Sequence, residues 1–157
     1  MARNRHSYRR SNVILIRFTI LLLAGYVLRA EPAAEVPDIG ATWSVEWSAK
    51  HLDQVLALYA PDAIFFSTDG GHFAGLPAIR DFFKKTLATN DPTIHMHRMA
   101  NQQAGTLAYQ SGEYKETIVT AGQKRDYQGD YLLVLRNQNG HWLIVEQMFT
   151  GSPVPAH

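Results

Sequence analysis

The chain contains no cysteine. Disulfide frameworks, thiolate nucleophiles and Cys-ligated zinc are therefore excluded. It also lacks a G-x-S-x-G elbow, a phosphate-binding glycine loop and an H-E-x-x-H motif, so hydrolase-elbow, nucleotide and zincin readings have no support. No internal repeat or low-complexity tract interrupts it. The longest apolar run, Val13 to Leu28, is 16 residues and is broken by Arg17, short of the roughly 20 that span a bilayer. Basic residues are scarce outside the N-terminus. Six of the fifteen, Arg3, Arg5, Arg9, Arg10, Arg17 and Arg29, fall within residues 1–30 with none of the fourteen acids. The remainder carries nine basic against fourteen acidic residues, a net charge of about −5. An acidic body without a basic stripe argues against nucleic-acid binding.

What is present is ordinary globular material. The 157 residues, 46% hydrophobic and 18% charged, give room for one domain with a sizeable core. Residues 1–30 have the layout of a secretory signal: a basic start, a short apolar stretch and a small residue, Ala30, at its end. Export to the periplasm or the medium is expected, the alternative being an uncleaved membrane anchor over 13–28. Residues 31–38 form a linker with two prolines, and 152–157 a tail.

Ile39, Trp43 and Trp47 recur every four residues, marking a helix that Asp38 or Thr42 caps. Leu52, Val55, Leu56 and Tyr59 make the stripe of a second helix, which Pro61 ends. Ala63 to Ser67 reads as a short buried strand and Thr68 to Gly71 as a turn. Leu76 to Leu87 is again helical, with Ile79, Phe82, Phe83 and Leu87 on one side. From Thr93 the period changes to two, giving strands at about 93–103, 106–119, 124–136 and 141–150. The strongest hairpin signal is Asn139-Gly140. Helices followed by antiparallel strands predict an α+β domain over 39–151.

Hairpin pairing then assigns faces. A two-residue turn at Ala104-Gly105 sets His97 opposite Gly112 and His95 opposite Tyr114; a four-residue turn pairs Val119 with Lys124. One face is thereby expected to carry His95, His97, Met99, Tyr114, Glu116, Tyr127, Tyr131, Leu133, Leu135, Trp142, Ile144, Glu146 and Met148. Its polar end is richer than packing requires. The opposite face, with Leu107, Tyr109 and Leu132, is too apolar for open solvent, and a second subunit is expected to cover it.

Three stretches carry a resemblance: Leu56-Ala-Leu-Tyr-Ala-Pro-Asp-Ala-Ile-Phe-Phe, Gly75-Leu-Pro-Ala-Ile-Arg-Asp-Phe-Phe, and Tyr131 to Arg136 with Asn139-Gly-His-Trp-Leu-Ile-Val145. Together they resemble the nuclear-transport-factor-2-like superfamily, in its SnoaL-like and ketosteroid-isomerase-like branch. The resemblance implies a cone-shaped fold, N-terminal helices packed on a curved, mostly antiparallel sheet around a deep pocket, and homodimers through the sheet. By the resemblance, the isomerase's general-base position falls at Ser67, its oxyanion-hole tyrosine at Trp43, and its partner acid near Leu132, with nearby Asp130 as a shifted equivalent. A serine cannot do the work of that base, so ketosteroid-isomerase chemistry is not expected.

Acid–base work would fall to His95, His97, Tyr114 and Glu116, because imidazole titrates near neutrality. Trp43, Tyr59, Ser67, His72, Tyr131, Glu146 and Met148 are the expected pocket lining. His95 and His97 lie ~6.5–7 Å apart along a strand, and a metal would need Glu146 or Glu116 as a third ligand; no metal or cofactor is expected. Three functions follow: an exported pocket protein for a small, largely apolar molecule, an acid–base enzyme of the lyase, isomerase or cyclase type, or a dimeric association module.

Overall fold

The computed structural model describes residues 35–155. The expected export segment, residues 31–34 of the linker and the last two residues of the tail lie outside the described residues. No described helix is long and apolar enough to cross a membrane.

Two helices come first, α1 (Ile39–Ser48) and α2 (Leu52–Leu56), then strands β1 (Tyr59–Phe66) and β2 (His72–Ala74) and the long helix α3 (Leu76–Thr89). Five strands follow: β3 (Asn90–Ala104), β4 (Leu107–Thr120), β5 (Gln123–Gln138), β6 (His141–Phe149) and the short β7 (Ser152–Pro153). They form one mixed sheet in the order β2-β1-β6-β5-β4-β3, with β7 beside β5. Only the β1–β6 pair among these is parallel. This is the α+β arrangement that the order of patterns predicts and the cone that the resemblance implies, its helices on the inner face of a curved sheet.

Local chemistry sets the helix ends. Of the two capping candidates Asp38 is the one used: its Oδ1 accepts from Ala41 N at 3.0 Å, while the Thr42 hydroxyl donates back to the Asp38 carbonyl. α1 closes with Lys50 at φ 59°, a left-handed position usually given to glycine. Pro61 does not end a helix, as expected, but sits inside β1. The second helix has already stopped at Leu56, and β1 shifts register against β6 between Tyr59 and Ile64, so proline's missing N–H is tolerated. α3 follows Gly75, whose φ of +83° suits glycine alone, with Pro77 in the first turn. Its residues Ile79, Phe83 and Leu87 are buried against the sheet, whose contribution centres on Leu133, Leu135 and Ile144.

Two β-bulges reverse part of the expected facing. The pairing Val119–Lys124 is as predicted, and with it Tyr114–Gly129 and Gly112–Tyr131. On β3, however, the tight turn is Gly105-Thr106 and Met99 is an extra residue between Arg98, opposite Gly112, and Ala100, opposite Ser111. One extra residue flips every side chain beyond it. His95 and His97 therefore pair with Lys115 and Glu113 on the outer face, and Ile94 and Met96 point inward. On β6, Val145 is the extra residue, between Glu146 opposite Val134 and Ile144 opposite Leu135. Trp142 and Ile144 point inward as expected, but Glu146 and Met148 face out, and Gln147 and Phe149 take their place inside.

The bend of the sheet brings backbones together where two glycines sit. A Cβ on Gly112 would lie 2.0 Å from the His97 carbonyl oxygen, and one on Gly129 only 1.8 Å from that of Thr150. Neither strand could take a side chain there.

Candidate functional site

α1 delivers two indoles to the space between helices and sheet. Trp43 and Trp47, one turn apart, stack with ring centroids 5.1 Å from each other. Phe83 of α3 meets Trp47 edge-on at 5.0 Å and Phe65 of β1 at the same distance. From the sheet, Tyr114 stands at right angles to Phe149, 5.0 Å away. These rings enclose a cavity of about 140 Å³. Its polar edge consists of Ser67, Thr68, Thr86, the Tyr114 phenol and Glu116.

Among the described residues Glu116 is the cavity's single carboxylate, and no basic side chain lines the space. Its Oε1 accepts the Trp47 indole N–H at 3.3 Å. Burial raises its proton affinity above the usual carboxylate range, and the indole N–H opposes that shift only in part. Tyr114 lies two residues earlier on the same face. Burial pushes its phenol up to about 12, with the negative charges of Glu116 and Asp130 adding to the effect. The pair offers one weak acid held in an apolar surrounding and one phenol that stays protonated.

A second polar chain runs behind the cavity. Trp43 Nε1 donates to the Tyr59 hydroxyl at 2.9 Å, and that hydroxyl donates to Gln147 Oε1. Tyr59, wholly enclosed, has its pKa driven well above the ordinary phenol value by burial. Gln110 performs a similar service at the start of α1. Its Oε1 accepts from Ile39 N and Gly40 N, and its Nε2 donates to the Pro37 carbonyl at 2.6 Å.

Of the residues expected at the site, the structure brings Trp43, Ser67, Tyr114 and Glu116 together around the cavity. The Ser67 hydroxyl is committed to its own turn, donating to the Asp69 carboxylate and to the Gly71 carbonyl. Tyr59 and Tyr131 are core residues beneath α1, Tyr131 reaching the backbone at Gly40. Correction is needed for five. His95, His97, Glu146 and Met148 lie on the outer face, placed there by the two bulges, and His72 is exposed on the edge strand β2. The suggested metal set fails for the same reason. Glu116 is on the other side of the sheet from the two histidines, and Glu146 is three strands away from them, about 14 Å at the usual strand spacing. Among the described residues no group of three or more His, Cys, Asp or Glu is placed to hold a metal. The sequence reading missed Gln110 and Gln147, polar residues that face inward, and left Trp47 out of the lining. For Gln110 the available signal is its place two and four residues before Gly112 and Tyr114 on an uninterrupted strand, since a polar side chain facing inward must find a partner; for Gln147 the bulge at Val145 hides it.

Residues 41–146 match the family model described as SnoaL-like domain. A search of the curated proteins finds none that matches. Similar solved structures include a ketosteroid isomerase-like protein from Erwinia carotovora atroseptica, at 15% identity and TM-score 0.67, covering 78% of this chain and 97% of that one. A putative calcium/calmodulin-dependent protein kinase II association domain from Xanthomonas campestris is similar at 24% identity and TM-score 0.65, covering 78% and 93%. A hypothetical protein with a ketosteroid isomerase-like fold from Catenulispora acidiphila, in complex with trimethylamine, is similar at 16% identity and TM-score 0.54, covering 73% and 85%. At these identities the likeness is one of fold.

Proposed function

The chain belongs to the SnoaL-like domain family, and from that premise we propose that it binds a small, largely apolar molecule in the aromatic cavity beside Glu116. The observation that carries this reading is the cavity itself: rings from α1, α3 and the sheet, with one carboxyl at its edge. Ligand sites are commonly concave and mostly apolar, with a few convergent polar groups. The trimethylamine of the Catenulispora relative supports a small occupant for this fold. A thermal-shift screen of the purified protein against small amines, phenols, ketones and hydrophobic acids tests the reading. Stabilisation by at least one class, lost on filling the cavity with Ser67→Phe, is the expected result. No stabilisation by any class would sink it.

A second reading is supported by the outer face. Leu107, Tyr109, Leu132 and Met148 are all exposed there, at 50%, 38%, 38% and 40%. Contiguous apolar surface of this kind favours a partner, and a second copy of the chain through the sheet is the simplest one. The kinase association domain among the fold relatives makes the association role worth testing beside the pocket. The composition of residues 1–30 supports export of the whole.

A further inference from the structure

We infer that the occupant of this cavity is a small organic cation, a tertiary or quaternary ammonium of about one ring's bulk, with Glu116 as its counter-charge. The inference rests on the pocket reading and narrows it.

Three observations converge. The first is the wall. Trp43, Trp47, Phe65, Phe83, Tyr114 and Phe149 supply aromatic rings from α1, α3 and three strands. Aromatic faces carry the negative end of the ring quadrupole and attract an ammonium within ~6 Å of the centroid. Rings gathered from several elements around one space repeat that preference in several directions.

The second is charge. Among the described residues the lining holds one carboxyl and no lysine, arginine or histidine. An anionic ligand would meet a like charge and ring faces of the same sign, without a partner. Glu116 has one oxygen engaged by the Trp47 indole, while Oε2 has no hydrogen-bond partner among the described residues. Burial disfavours the ionised carboxylate when it is alone. A cation beside it offsets that penalty, since a buried charge is tolerated once it is paired.

The third is size. The cavity measures about 140 Å³, against ~150 Å³ for a protein cavity that takes benzene. A trimethylammonium group is of that order. A fused polycycle is not.

Choline and 3,3-dimethylbutan-1-ol test the idea, because the two differ in shape very little and in charge by one unit. Binding to the full protein is followed by titration calorimetry and by the fluorescence of the cavity tryptophans, with benzoate as the anionic probe. Choline is expected to bind at least about tenfold more tightly than the alcohol, and benzoate not to bind. In Glu116→Gln, which keeps the acceptor for Trp47, the two should come within about threefold of each other. Equal binding of choline and the alcohol to the native protein overturns the cation and leaves the pocket standing. Tighter binding of benzoate overturns it as well. If no probe binds and the wider screen is also empty, the pocket reading fails and this one with it. Should the variant not fold, the comparison on the native protein decides alone.

Discussion

Gln110 is the side chain on which the seating of α1 depends, and its replacement gives a sharp prediction. It is wholly buried. The first N–H groups of a helix have no partner within the helix. Here Asp38 takes that of Ala41 at 3.0 Å, and Gln110 Oε1 takes those of Ile39 and Gly40 at 3.1 and 3.3 Å. In Gln110→Met the volume is kept and all three bonds vanish. Ile39 N still reaches the Pro37 carbonyl at 2.9 Å, so these two groups remain partnered. Gly40 N does not, and one orphaned buried donor costs ~1–3 kcal/mol. With the remaining bond losses the expected destabilisation is about 2 kcal/mol, which lowers Tm by roughly 8 °C. Urea unfolding followed by tryptophan fluorescence measures it, with unchanged m showing that the fold is retained. Gln110→Glu provides the control. Ionised, it keeps both acceptor bonds but sets a negative oxygen against the Pro37 carbonyl; protonated, it restores the donor. That variant should therefore be weak at pH 8 and recover most of its loss at acid pH relative to native protein at the same pH. A Gln110→Met loss below about 0.5 kcal/mol, or a glutamate variant equally weak at both pH values, would refute the reasoning.

Three other outcomes follow. Burial raises the Glu116 pKa, so its contribution to stability is fully present below the ordinary glutamate pKa of about 4.3 and is lost as pH rises through the folded value. Thermal melts should accordingly show Glu116→Gln more stable than native protein at pH 8 and the gap closing near pH 4; a gap that widens in acid would contradict the sign. Gly129→Ala puts a methyl 1.8 Å from the Thr150 carbonyl oxygen, where only backbone can yield, and should lose about 3 kcal/mol or more, visible as a collapsed Tm or insoluble protein. Leu132→Glu places a charge in the exposed apolar stripe; sedimentation should find native protein dimeric and the variant monomeric with an unchanged melt. A monomeric native protein at micromolar concentration would remove the association reading.

Much of the architecture was legible because it rests on periodicity. The four-residue spacing of Ile39, Trp43 and Trp47, the switch to period two at Thr93, and the Asn139-Gly140 turn each have one ordinary structural meaning. The resemblance carried in part by the stretch from Leu56 to Phe83 implied a pocket between the helices and the sheet. The site was less legible, since face assignment is binary and any extra residue inverts it. Neither Met99 nor Val145 is a glycine, the residue type that flags a bulge in sequence, so nothing marks either one, and His95, His97, Glu146 and Met148 were placed on the wrong side. Tyr114 and Glu116 kept their face because the β4–β5 pairing runs without interruption. Gln110 and Gln147 were passed over because a lone glutamine in a strand carries no periodic signal, whereas its partners, α1 and Tyr59, come from far away in the chain.

The Met99 bulge has a consequence for how such proteins diversify. Were Met99 taken into the ladder opposite Gly112 instead of being left out of it, the preceding strand segment would slip by one residue and turn over, exchanging Ile94 and Met96 for His95 and His97 on the inner face. The aromatic box would gain an imidazole in place of Ile94, without a new side chain being introduced anywhere. The repertoire of a lineage built on this scaffold can thus change by frameshifts of backbone pairing as well as by substitution. Two neighbours with nearly identical strands can then line their cavities with opposite halves of the same sequence.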